Sequence, residues 1–136
     1  MKITVSTVVS APIGEVWSAY NTPEDIKMWN AASEDWHTTA STVDLRVGGA
    51  FSSRMEAKDG SAGFDFAGEF TKVEPPTRLE YAFGDRTCVV TFVEGANGVT
   101  ATVTFDAETT HSEEQQRAGW QSILDNFARY VVTQKA

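Results

Sequence analysis

Residues 2–9 place Ile3, Val5, Thr7 and Val9 on one side and Lys2, Thr4, Ser6 and Val8 on the other. A period of two in β-branched residues predicts a strand. Ser10-Ala11-Pro12 closes it and opens a helix over 12–20, where Val16, Ala19 and Tyr20 stand at helical spacing beside Trp17. A second short helix is predicted over 23–28. Thr22 offers an N-cap, Pro23 suits the first helical position, Asp25 lies in the first turn, and Ile26 and Trp29 face inward.

From Trp36 to Phe105 the pattern is antiparallel β. Val43 and Leu45 lead to Val47-Gly48-Gly49, a turn or bulge, and Phe51, Ser53 and Met55 then alternate with Ser52, Arg54 and Glu56. Beyond the Lys58-Asp59-Gly60 turn, Phe64, Phe66, Gly68 and Phe70 share a face. Gly68 inside that aromatic row marks a place where the sheet coils or another group approaches closely. Leu79, Tyr81 and Phe83 form the next apolar face, followed by Cys88, Val90 and Phe92, and then Val99, Ala101, Val103 and Phe105 after Asn97-Gly98. Short connections make these neighbouring antiparallel strands, because parallel pairing needs crossover helices.

The last predicted element is a helix over 113–132, opened by Ser112 with Gln115 as a capping box. Trp120, Ile123, Leu124, Phe127 and Val131 form its apolar face. Gly119 costs its interior about 1 kcal/mol relative to Ala, which is either justified by a close contact with the sheet or a mild local weakness of the helix. The half-polar strands need one face covered, and only this helix has the length to cover it. The fold class is therefore α+β: a single domain over 1–136, with a curved antiparallel sheet of six or seven strands around the long C-terminal helix.

Composition narrows the function classes. Lys and Arg number 11 against 19 Asp and Glu, for a net charge of -8. Nucleic acids and anionic membranes both select basic surfaces, so neither is an expected partner. Cys88 is the single cysteine, and the N-terminus has no signal-like apolar run; a reducing cytoplasmic setting is the expectation. The two histidines, His37 and His111, lie far apart without HxxxH, HExxH or CxxC spacing, so no metal is expected. The serines lack a nucleophile-elbow context and Val47-Gly48-Gly49-Ala50 is no phosphate loop, leaving no catalytic set and no cofactor motif.

Four ordered stretches carry a family resemblance. SAPIGEVWSAYNTPEDIKMWN resembles the N-terminal segment of the START-like (SRPBCC) superfamily, in the subgroup similar to the C-terminal domain of the Hsp90 ATPase activator. DLRVGGAFSSRME with GEFTKVEPPTRLEYAF resembles its central strands, and GWQSILDNFARYV its terminal helix. The likeness spans residues 3–132. It implies a helix-grip fold with a cavity or cleft between helix and sheet, and functions that range over binding of lipids or polyketide intermediates, cyclase or hydrolase activity, and activation of a chaperone ATPase. The eukaryotic activator carries an additional N-terminal domain for which this chain has no room, which weakens a literal transfer of co-chaperone activity.

The candidate site is aromatic. Phe51, Met55, Phe64, Phe66, Phe70, Tyr81 and Phe83 come from the concave face, and Trp120, Leu124 and Phe127 from the helix that crosses it. Standing apart, helix and sheet leave an apolar pocket for a flat or acyl ligand; closed together, they make ordinary core. Trp36 and His37 add a polar-aromatic rim, with the imidazole either donating to a ligand or lying exposed on its strand. This set points to binding of a small hydrophobic molecule. The resemblance implies protein binding of the co-chaperone kind as an alternative, and cyclase or hydrolase chemistry as another, which would need His37 or Tyr81 pointing inward. The open edges of the sheet leave a homodimer as a further partner.

Overall fold

In the computed structural model, which describes residues 1–135, the first alternating segment is β1 (Lys2–Val9), followed by helices α1 (Ile13–Asn21) and α2 (Pro23–Trp29). Six strands come next: β2 (Trp36–Val43), β3 (Ala50–Ala57), β4 (Gly63–Glu74), β5 (Arg78–Phe83), β6 (Arg86–Gly95) and β7 (Gly98–Asp106). Helix α3 (Glu113–Tyr130) ends the fold and runs into a π-helical turn over Val131–Lys135. All strands join one seven-stranded antiparallel sheet in the order β1-β7-β6-β5-β4-β3-β2. The meander is as expected, with the first strand returning to pair with the last and leaving β1 and β2 at the edges.

Register carries the apolar phase across the sheet. Ile3 lies opposite Phe105, Phe105 opposite Cys88, Cys88 opposite Tyr81 and Tyr81 opposite Phe70. One row therefore places five apolar or aromatic side chains on the concave face, where period-two alternation sends them. A register shift between Phe70 and Lys72 ends the row and lets β4 bend. Gly68 answers to the second expectation for it. A Cβ there would stand 2.8 Å from two ring carbons of Phe51 and 2.3 Å from the Ala82 carbonyl, so its absence lets the Phe51 ring lie against the sheet.

Helix α3 begins as the capping box predicts: the Ser112 hydroxyl accepts from the Gln115 amide at 3.1 Å, and the Gln115 side chain accepts from the Ser112 amide at 3.0 Å. Thr22 takes the N-cap position of α2 with Pro23 after it, as expected, but its side chain does not cap. It joins α1 directly to α2, and its hydroxyl donates back to the Ser18 carbonyl at 2.6 Å. Of the two readings of Gly119 the close contact is not found, since a Cβ there would meet nothing within 4 Å.

The helix does not cover the sheet evenly. Its nearest strand is β1, to which Gln121 is tied by a 3.0 Å hydrogen bond from its side-chain amide to the Ser6 carbonyl. Helix α2 packs on β2, where the Thr38 hydroxyl donates to the Asn30 carbonyl at 2.6 Å. It meets α3 through Tyr130, whose hydroxyl donates to Asp25, and through Asn126, whose amide donates to the Ala31 carbonyl at 2.6 Å. The two short helices thus share the covering with α3, and side chains span the space between α3 and β3–β5.

Candidate functional site

That span bounds a partly open cavity of 510 Å³. Its sheet wall is Phe51, Ser53 and Met55 of β3, Phe64, Phe66 and Phe70 of β4, Leu79 and Tyr81 of β5, with Trp36, Val43 and Val103 at the sides. Gln115, Gln116, Gly119, Trp120, Ile123 and Leu124 of α3 form the roof. Tyr20 and Asn21 of α1 and Ile26, Trp29 and Asn30 of α2 and its end close the far side. Because Gly119 has no side chain, the roof is thin at that point. The size and apolar walls match those of small-molecule sites, which run from about 300 to 1,000 Å³.

The rings hold the walls in place. Phe51 meets Tyr81 edge-on at 4.8 Å and Phe70 at 5.2 Å between centroids. Phe66 reaches Phe83 at 5.4 Å and Trp120 at 6.1 Å, so it links the sheet wall to the roof. Trp120 is in turn stacked on Phe105 at 3.9 Å and 11°. Such contacts add roughly 0.5–1.5 kcal/mol each to area burial, and they keep α3 from settling onto β3–β5.

The residues expected at the site divide into groups. Trp36, Phe51, Met55, Phe64, Phe66, Phe70, Tyr81, Trp120 and Leu124 line the cavity. Phe127 is fully buried beside it, packed edge-on against Tyr20 and Trp29. Phe83 is buried beneath Phe66 and the Arg86 guanidinium. His37 lies elsewhere: it is exposed, paired across the ladder with Glu56, while its neighbour Thr38 is the buried one. Trp36 has the inward phase, so adjacent His37 has the outward one. Arg54 also takes the outer face and pairs with Glu56 at 3.0 Å and Asp65 at 3.6 Å.

The pattern along the chain did not single out the polar residues of the cavity. Arg86, Glu108 and His111 stand where α3 begins, brought there by the β5–β6 hairpin and the β7–α3 connection. Gln116 fixes that connection: its amide nitrogen donates to the Glu108 and His111 carbonyls at 3.0 and 2.9 Å, and its oxygen accepts from the Glu108 amide at 2.8 Å. Burial raises the Glu108 carboxyl, but hydrogen bonds from His111 and Thr110 outweigh it and hold the pKa below its ordinary value. Deeper in, burial pushes the Tyr20 and Tyr81 phenols well up and the Cys88 thiol up to about 12. These groups are donors at neutral pH, and Cys88 is no nucleophile.

Residues 10–132 match the family described as activator of Hsp90 ATPase homolog 1-like protein. The chain belongs to this family. An AHSA1-like protein from Aeromonas hydrophila, solved in solution, is 54% identical over 99% of this chain and 94% of its own, with a TM-score of 0.93. A protein from Cytophaga hutchinsonii is 40% identical over 96% of this chain and 91% of its own, with a TM-score of 0.83. A crystal structure from Nitrosomonas europaea, 23% identical over 99% of this chain and 96% of its own at a TM-score of 0.87, shares the fold. No protein of curated function matches the chain. The resemblance read from the four sequence stretches is the family itself, and the helix-grip architecture follows with it. Among the described residues, no helix of this activator-like domain is long and apolar enough to cross a membrane.

Proposed function

We propose that this activator-like domain binds a small hydrophobic molecule between α3 and β3–β5. The observation that carries the reading is the 510 Å³ space bounded mainly by rings and aliphatic side chains. Filling it with an apolar body removes wall and ligand surface from water at about 25 cal/mol per Å². Gly119 supplies the test, because a side chain added there enters open space. Decanol, titrated into the purified chain against a neutral polarity-sensitive dye, should bind saturably at one site. Gly119→Phe should remove most of that binding with no loss of thermal stability. A wild-type chain that does not bind, or a variant that binds as well, contradicts the reading.

A second reading rests on the family match. The family's description names activation of the Hsp90 ATPase, and the comparisons favour a protein partner more directly than a ligand. The acidic surface suits a basic partner face, since charge complementarity steers association. Purified Hsp90-type chaperone should then turn over ATP several-fold faster with saturating domain, and unchanged turnover removes this reading. For cyclase or hydrolase chemistry, Tyr81 lines the cavity while His37 does not, and the raised pKa of Tyr81 makes it a donor and not a base.

A further inference from the structure

The cavity is not apolar throughout. Arg86 lies at its α3 end with the guanidinium 4.5 Å from the centroid of the Phe83 ring. One of its terminal nitrogens donates to the Asp106 backbone carbonyl at 3.3 Å. Among the described residues no carboxylate stands within salt-bridging distance of it, whereas Arg46, Arg54, Arg78 and Arg117 each have one. A guanidinium has five donors. Stacking on Phe83 and one carbonyl bond hold the group in place and leave most of those donors unused.

The adjoining wall also offers donors. Tyr20 and Tyr81 line the same cavity as Arg86, and the Tyr81 phenol stands against the Cys88 thiol of the neighbouring strand. Tyr20 makes ring contacts to Trp29, Phe92 and Phe127, while no described residue bonds its hydroxyl. A cation and phenolic donors therefore border one apolar space. The acceptor at this end, Glu108, is already occupied by the His111 amide at 2.7 Å, the Thr110 amide at 3.2 Å and the His111 ring at 3.0 Å.

We propose that the cavity takes an amphipathic monocarboxylate, its carboxylate held by Arg86 with a Tyr81 hydroxyl and its apolar body lying between Phe66 and Leu124. The inference rests on the ligand-binding reading above and gives that ligand a headgroup. A single delocalised charge suits one planar guanidinium, which grips a carboxylate with two parallel bonds. A doubly charged phosphate would bring excess charge beside Glu108. A bare apolar cavity would show the opposite preference, because a carboxylate loses far more hydration than an alcohol on entering it.

The test compares decanoate, decanol and decylammonium with the full chain near neutral pH, each displacing the same neutral dye. Decanoate is expected to bind about tenfold or more tighter than decanol, the scale of a hydrogen bond to a charged group, and decylammonium more weakly than either. Arg86→Gln should bring the decanoate-to-decanol ratio close to one, and Tyr81→Phe should lower it part of the way, which keeps the test valid if either variant folds poorly. Equal binding of decanoate and decanol, or a ratio unchanged in both variants, overturns the headgroup assignment while leaving hydrophobic binding intact. Tightest binding of decylammonium makes Glu108 the selecting group and also overturns it. If none of the three binds, the ligand-binding reading fails together with it.

Discussion

Single side chains divide the aromatic set into core and wall. Phe127 is 0% exposed, with ring neighbours Tyr20 at 5.2 Å and Trp29 at 4.9 Å, whereas Phe64 is 48% exposed and meets Trp36 at 5.9 Å. Phe127→Ala should cost about 3–5 kcal/mol through lost burial and an unfilled void. Phe64→Ala should cost about 1 kcal/mol or less. Urea denaturation of the two variants checks the order, and equal losses would mean that Phe64 is as much part of the core as Phe127. Sequence alone places both on inward phases. It does not distinguish them, because exposure at Phe64 follows from its place near the start of β4, where that strand pairs with β3 but not yet with β5. Gly68 was legible because a glycine amid alternating rings asks what fills the missing side chain, and Phe51 does.

Elements are tied together at Asp106, the last residue of β7. Its carboxylate receives the Lys2 ammonium from β1, and the backbone amide and hydroxyl of Thr87 from β6 at 2.8 and 2.9 Å. These bonds, the Lys2 bond first, lower its pKa from an ordinary 3.8 to about 2. The unfolded chain therefore takes up this proton at higher pH than the folded chain does. The stabilisation is present in full above about pH 5 and is lost as pH falls through 4 towards 2. Thermal midpoints measured across that window should fall less steeply for Asp106→Asn than for the parent chain; parallel curves would show that the tie contributes nothing. The same scale shows what local signals convey. The Ser112–Gln115 box was readable because its partners lie within one turn. Thr22 looked like a cap, but two helices end and begin on it, and its hydroxyl went to the earlier one.

Across the whole molecule, alternation and short turns determined the antiparallel meander, and the need to cover one face determined the place of the long helix. The hollow was less legible. It exists because α3 is seated toward β1 while α1 and α2 take up the remaining cover, a division that no single element's periodicity encodes. For the same reason the pattern along the chain does not place Arg86, Glu108 and His111 at the cavity: a hairpin and a loop carry them, and only the return of the chain into α3 brings them to one end. His37 was different, since the strand phase that turns Trp36 inward already turns its neighbour away.

The central claim, that α3 and β3–β5 enclose a working binding space, is tested most directly by methyl NMR of the intact chain during titration with decanoate. Ile123, Leu124 and Met55 line the space, while Ile3, Val9 and Val131 are fully buried outside it. The first three should shift progressively and saturate together while the second three stay nearly fixed. Uniform shifts across both sets, or none in the first, would contradict the account.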